Sequence, residues 1–167
     1  MIRTSMLAAV AALAYALPAS AGWQIEKTTD PASYQAVVLI AQAAEGTIKD
    51  EYATKDVRPR LELRCVPGPE PALRARIDWG RFISSFNTEV AFAVDDRDSL
   101  GLTMGVDRSN RITSTKAAAD DDALLSYLDG GKRLAVTVTP YSEVPVTVHF
   151  DLAGFAAGLG NLRDACR

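Results

Sequence analysis

One histidine, two cysteines and a 7% share of aromatic residues leave this 167-residue chain little material for a metal centre or a cofactor cradle. Neither is expected. Positive charge is not in excess either: 18 Lys+Arg stand against 21 Asp+Glu, a net charge of -3. That balance lacks the basic footprint of a nucleic-acid binder, so no nucleic-acid partner is expected. The chain carries no Gly-x-Ser-x-Gly turn, no Cys-x-x-Cys pair and no internal repeat or low-complexity linker. What it does have is a 48% hydrophobic content, enough for a substantial core.

The first residues read as an address. Met1-Ile2-Arg3-Thr4-Ser5 holds one positive charge, Met6 to Leu17 is an unbroken apolar run, and Pro18-Ala19-Ser20-Ala21 supplies an A-x-A cleavage site. A run of that length reaches only about 18 Å as a helix, short of the roughly 30 Å hydrocarbon core of a bilayer. The expectation is therefore a signal peptide over residues 1–21, cleaved after Ala21, and a periplasmic protein with no stable membrane insertion. Loss of Arg3 with the leader leaves 17 basic against 21 acidic residues, a balance of -4.

Export puts the two cysteines in an oxidising compartment. Cys65 and Cys166, 101 residues apart, are then most simply a disulfide; the rival reading is two free thiols, one of them catalytic.

From Gly22 onward a single exported domain over residues 22–167 is expected, mainly strands. A short extended piece runs over Trp23 to Lys27, followed by a turn at Asp30-Pro31. Ala36 to Ala41 is β-branched and short, which favours a buried strand over a helix, and the polar stretch Glu45 to Arg58 reads as a loop. Leu61, Leu63 and Cys65 alternate with charged residues, as do Leu73, Ala75, Ile77 and Trp79, so the two runs form a hairpin turning through Val66 to Pro71 with a wet outer face. Thr88 to Val94 and Leu100 to Val106 form a second pair about Asp95-Asp96-Arg97-Asp98. Ala117 to Leu128, with acids in its first turn and Gly130-Gly131 after its end, predicts a helix. Leu134 to Val138 and Val146 to Leu152 predict two more strands, and Phe155, Leu159 and Leu162 fall at helical spacing in Gly154 to Cys166. The fold class is α+β: an antiparallel sheet or sandwich covered by two short helices, with one disulfide.

Candidate sites are few. Arg60, Arg64, Arg74 and Arg76 share the outer face of the hairpin with Glu62 and Asp78, a ladder suited to an acidic partner, phosphate or anionic glycan, or to cross-strand ion pairs alone. His149 shares a strand face with Thr147 and Asp151, but no serine is placed to complete a triad; a solvent-facing strand histidine is the simpler reading. The clusters Asp95-Asp96-Arg97-Asp98 and Asp120-Asp121-Asp122 lack the alternating spacing of a calcium loop and serve better as a turn and a helix start. Trp79 falls on the apolar face, as core.

The strand Leu61-Glu62-Leu63-Arg64-Cys65, the strand ending Ile77-Asp78-Trp79-Gly80, the segment Val146 to Gly154 (VTVHFDLAG) and the tail Leu162-Arg163-Asp164-Ala165-Cys166 together resemble the VasI-like, or TagO-like, family of exported proteins associated with type VI secretion in Gram-negative bacteria. The resemblance spans Leu61 to Cys166 and rests on core strands, a turn and the cysteines rather than on catalytic residues. Met104 to Ile112 lacks the tryptophan of that pattern, and Ala91 to Val94 lacks its aromatic-Arg pair. What the resemblance implies is a compartment and an association: a non-enzymatic accessory or binding module whose partner is an envelope or secretion-apparatus protein. A periplasmic inhibitor of a lysozyme or protease, using Pro67 to Pro71 or Asp95 to Asp98 as its loop, is the alternative, and a cell-wall hydrolase is a third reading. The sequence leaves oligomeric state open.

Overall fold

The computed structural model describes residues 22–30, 34–66 and 72–166; the expected leader, Pro31 of the first turn and the hairpin tip Pro67 to Pro71 lie outside them. Among the described residues, eleven strands and two helices follow one another: β1 (Gln24–Thr29), β2 (Ala36–Ala43), β3 (Ile48–Lys49), β4 (Asp56–Val57), β5 (Arg60–Val66), β6 (Ala72–Asp78), β7 (Thr88–Val94), β8 (Leu100–Val106), β9 (Ile112–Ser114), α1 (Ala118–Leu128), β10 (Arg133–Val138), β11 (Val146–Asp151) and α2 (Phe155–Ala165). Nine strands form one sheet in the order β1-β2-β5-β6-β9-β8-β7-β10-β11, and each pair of neighbours in it is antiparallel. The expected α+β class is what the chain adopts.

Two segments differ from the expectation. The stretch 45–58 is not a plain loop, because β3 and β4 pair within it, Ile48 opposite Val57 and Lys49 opposite Asp56. Its tip is closed by Asp50, whose carboxylate accepts the Thr54 N–H at 2.7 Å and the Lys55 N–H at 3.2 Å. The second difference is β9. Only three residues long, it sits between β6 and β8, pairing Ile77 with Thr113 on one side and Val106 with Thr113 on the other. Without it, β6 and β8 would each present an unpaired edge.

The sheet curls until its two ends meet. Glu45 N–H donates to the His149 carbonyl at 2.8 Å, and the Trp23 indole N–H donates to the Asp151 carbonyl at 3.0 Å, so the segments flanking β1 and β2 are stitched to β11. One cluster of buried residues fills the interior, running from Ile40, Leu61 and Leu63 through Ile77, Trp79, Phe92 and Met104 to Val136 and Phe150. α1 lays Leu124, Leu125 and Leu128 on β6 and β8. Its start is secured by Asp120, whose side chain reaches back to the Ala117 N–H at 3.1 Å.

α2 covers β1 and β2, burying Phe155, Leu159 and Leu162. Phe155 meets Trp23 edge to face with ring centroids 5.0 Å apart. This approach requires glycine at 158, because a Cβ there would lie 2.4 Å from the Trp23 carbonyl oxygen and 2.7 Å from its Cβ. In an open helix, glycine to alanine stabilises by about 1 kcal/mol. Here overpacking against backbone reverses the sign, and Gly158→Ala is expected to destabilise by about 1–3 kcal/mol in a urea titration. A gain in stability would show that α2 can lift away from Trp23 freely.

Candidate functional site

Cys65 and Cys166 form a disulfide, joining β5 to the end of α2 with their Cα atoms 5.5 Å apart. The free-thiol reading does not hold. Beside this staple lies the arginine face. The β5–β6 register sets Arg64 opposite Arg74, Glu62 opposite Arg76 and Arg60 opposite Asp78, so the four predicted arginines do share one side of the sheet.

That side is not uniformly wet. Glu62, expected on a solvated face, is only 7% exposed. The arginines cover it: Arg64 Nε donates to its carboxylate at 2.9 Å, Arg60 lies 3.7 Å away and Arg76 3.9 Å. Carboxylates from neighbouring elements hold the flanks. Arg60 also pairs with Glu26 on β1, and Arg64 donates to Asp30 at 3.0 Å. A buried carboxylate of this kind is tolerated only when its charge is paired and its oxygens are hydrogen-bonded. Three cations converging on one side chain supply that.

Arg74 is anchored differently, by Asp121 at the start of α1. Asp121 is 4% exposed; its Oδ1 accepts the Ala75 N–H at 3.0 Å and the Thr115 hydroxyl, and its Oδ2 lies 3.3 Å from Arg74 Nε. Arg74 also donates to the Thr115 carbonyl at 3.0 Å. Burial pushes the Asp121 carboxyl above its ordinary value of 3.8, against the opposing pull of Thr115, Ala75 and Arg74. A raised folded value means that the folded state binds more protons than the unfolded one as pH rises from 3.8 towards it. The stability that wild type holds over Asp121→Asn should therefore fall as pH rises through that window, as measured by urea unfolding at a series of pH values. An unchanging difference would mean that burial does not control this carboxyl.

The arginine face opens into a cleft of about 250 Å³ bounded by Arg64, Arg74, Arg76 and Ser114, with Val37 and Val66 among its apolar walls. Cys65 of the disulfide lines it too, and the other predicted site residues among the described ones lie elsewhere. His149, on β11 opposite Ala135, is half-buried rather than solvent-facing, and its Nδ1 is shut from solvent with no hydrogen-bond partner among the described residues. Asp95, with φ of 50°, spends its carboxylate on the Lys132 and Arg133 N–H groups at 3.1 and 3.0 Å. These bonds, Lys132 first, draw its carboxyl below the usual range. Asp120 and Asp121 are likewise engaged within the chain, at the start of α1.

Sequence reasoning missed Arg81. It is 3% exposed and ties three segments together, donating to the Lys49 carbonyl at 2.9 Å and to both oxygens of Glu143, the longer contact 2.7 Å. Glu51, accepting from Phe82 N–H and Arg111, fastens the loop after β8 to the same end of the sheet. An arginine directly after a Trp-Gly turn carries no local signal of burial, because its partners come from residues 32 and 62 positions away.

No family model matches the chain, and no curated protein matches it either. Among solved structures, the invasion-associated protein B of Bartonella henselae is similar at a TM-score of 0.50 and 15% identity, with 86% of this chain and 92% of that one covered. What the two share is the fold. Among the described residues, no helix is long and apolar enough to cross a membrane.

Proposed function

We propose that this is a non-enzymatic exported protein that acts in the periplasm as a partner-binding module of the cell envelope, of the accessory kind that its strands and tail resemble in type VI secretion. The observation that carries this reading is the arginine face: four guanidinium groups side by side, three of them held by Glu26, Asp30, Glu62 and Asp121, beside a cleft and a disulfide. Side chains fixed in this way lose little freedom on binding, which favours recognition. The disulfide supports an oxidising compartment. A structural neighbour described as invasion-associated is compatible with a role outside the cytoplasm. The named acids and His149 are spread over separate elements, with Asp95, Asp120 and Asp121 spent on holding backbone, and this supports binding over hydrolysis.

The test is chemical crosslinking in intact cells followed by capture of the tagged chain. One envelope or secretion-apparatus protein should be enriched. The reading fails if no envelope protein is captured, or if the purified chain hydrolyses cell-wall material in a way that His149→Ala abolishes.

A second reading, an inhibitor of a lysozyme or protease, draws on the Asp95 turn. There the Asp95 carboxylate is tied to the Lys132 and Arg133 N–H groups and Arg97 donates to the Tyr127 and Asp129 carbonyls at 2.8 and 3.1 Å, which makes a stiff loop. It requires inhibition of such an enzyme that is lost when residues 95–98 are replaced.

A further inference from the structure

Of the four arginines on this face, three are committed. Arg60 holds Glu26, Arg64 donates to Glu62 and Asp30, and Arg74 donates to Thr115 and faces Asp121. Arg76 is different. Its nearest carboxylate oxygen, on Glu62, lies 3.9 Å from Nε, beyond hydrogen-bonding distance, and that Nε is closed to solvent with no hydrogen-bond partner among the described residues; Arg74 Nε shares this condition, but Arg74 donates through Nη1 to the Thr115 carbonyl, whereas Arg76 makes no hydrogen bond among the described residues. A buried donor without an acceptor calls for explanation. Here it lies at the wall of a cleft.

The cleft's shape and lining narrow the class of ligand. About 250 Å³ corresponds to roughly eight water volumes, room for one amino-acid side chain or a chain terminus. Val37, Val66 and Cys65 give it apolar walls, while Arg64, Arg74 and Arg76 bring donors from one side. A planar guanidinium with free terminal nitrogens pairs with a carboxylate through two parallel hydrogen bonds. Asp30 at the rim and Glu62 behind the arginines disfavour a dianion such as phosphate, which would meet two negative groups where a carboxylate brings only one charge of its own. The surroundings are already fixed, since Cys65 is stapled to Cys166 and Arg64 and Arg74 are held by their own carboxylates.

We propose that this cleft binds a single carboxylate group carried by a peptide segment of the partner, with Arg76 as the residue that recognises it. The inference rests on the partner-binding reading above and specifies its chemistry. The carboxylate can belong to an acidic side chain or to a chain terminus, and the probes separate the two: Ac-Ala-Ala-Ala with a free terminus, Ac-Ala-Glu-Ala-amide, and the neutral Ac-Ala-Gln-Ala-amide, with inorganic phosphate alongside.

Titration of the disulfide-intact protein, followed by amide chemical shifts, should show saturable changes at Val66, Arg76 and Ser114 with at least one carboxylate peptide. The neutral peptide should bind at least tenfold more weakly. Arg76→Gln should reduce carboxylate binding at least tenfold with other amide positions unmoved, and Arg76→Lys, which keeps the charge but loses the fork, should fall between. The proposal is overturned by equal binding of the neutral peptide, by unchanged binding in Arg76→Gln, by phosphate binding more tightly than either carboxylate, or by no shift with any probe at about 10 mM. Envelope capture separates the two failures. If Arg76→Gln still captures the same partner as wild type, the cleft assignment falls and the binding module stands; if wild type captures nothing, the module itself falls.

Discussion

Replacing Cys65 and Cys166 together by alanine is expected to lower the free energy of unfolding by about 4–5 kcal/mol, the loop-closure value for a ring of this size. The ring spans 101 residues and encloses the sheet from the end of β5 onward. Its closure also holds α2 in place. Eleven residues of helix are marginal alone in water, and α2 otherwise depends on Phe155, Leu159 and Leu162 for its seat on β1 and β2. The double variant should melt roughly 10–20 °C below wild type, and wild type in reductant should fall by a similar amount. A melting temperature that does not move under either treatment would mean that the unfolded chain gains no freedom from the cut.

Trp79→Ala is expected to cost about 3–5 kcal/mol, the range for deleting a large buried side chain. Trp79 is 0% exposed at the exit of β6. Its backbone N–H donates to the Arg111 carbonyl at 3.0 Å, and its indole N–H donates to the Thr113 hydroxyl on β9 at 3.1 Å. The indole therefore both fills the core and clamps the shortest strand of the sheet. Trp79→Phe keeps most of the volume but leaves the buried Thr113 hydroxyl without its donor, at a cost of about 1–3 kcal/mol. Adding Thr113→Val should recover part of that loss, and the resulting cycle measures the coupling through denaturant unfolding of all four proteins. If the double variant is no better than the sum of the singles, β9 is held by its backbone ladder alone.

These two sites show what the chain discloses before folding. Cys65 and Cys166 are legible because the expected export and a count of two leave one simple pairing, and Trp79 because strict alternation from Leu73 fixes its side of the strand. β7, β8, β10 and β11 carry the same period-two signal, and α1 and α2 their own spacing. β9 carried none: three residues cannot display a period, and Ile112–Ser114 becomes a strand only because β6 and β8 both lack a neighbour there. The β3–β4 pair was hidden for a similar reason, its two-residue strands set among polar side chains.

The candidate site was half legible. Alternation placed Arg60, Arg64, Arg74 and Arg76 together, yet the same alternation assigned Glu62 to water. Its burial arises from three long side chains folding over it, and a pattern of polar and apolar letters does not encode where a guanidinium comes to rest. Asp121 carries the signal of a helix-start acid and none of the Thr115 and Ala75 contacts that draw it into the interior. Which carboxylates hold each arginine, and hence which arginine is left over, depends on Asp30 and Glu26 arriving from a distant strand.

The span of the disulfide has a consequence for timing. Polypeptides are made from the N-terminus, so Cys65 and the strands around it exist long before Cys166 has been added 101 residues downstream. Throughout that interval its sulfur is an unclaimed thiol. The edge built from Trp23, β1 and β2 likewise waits for Asp151 and Gly158, which arrive almost as late. A chain interrupted before Cys166 lacks both this bond and the full cover of α2, so the Cys65–Cys166 link itself distinguishes finished copies from broken ones.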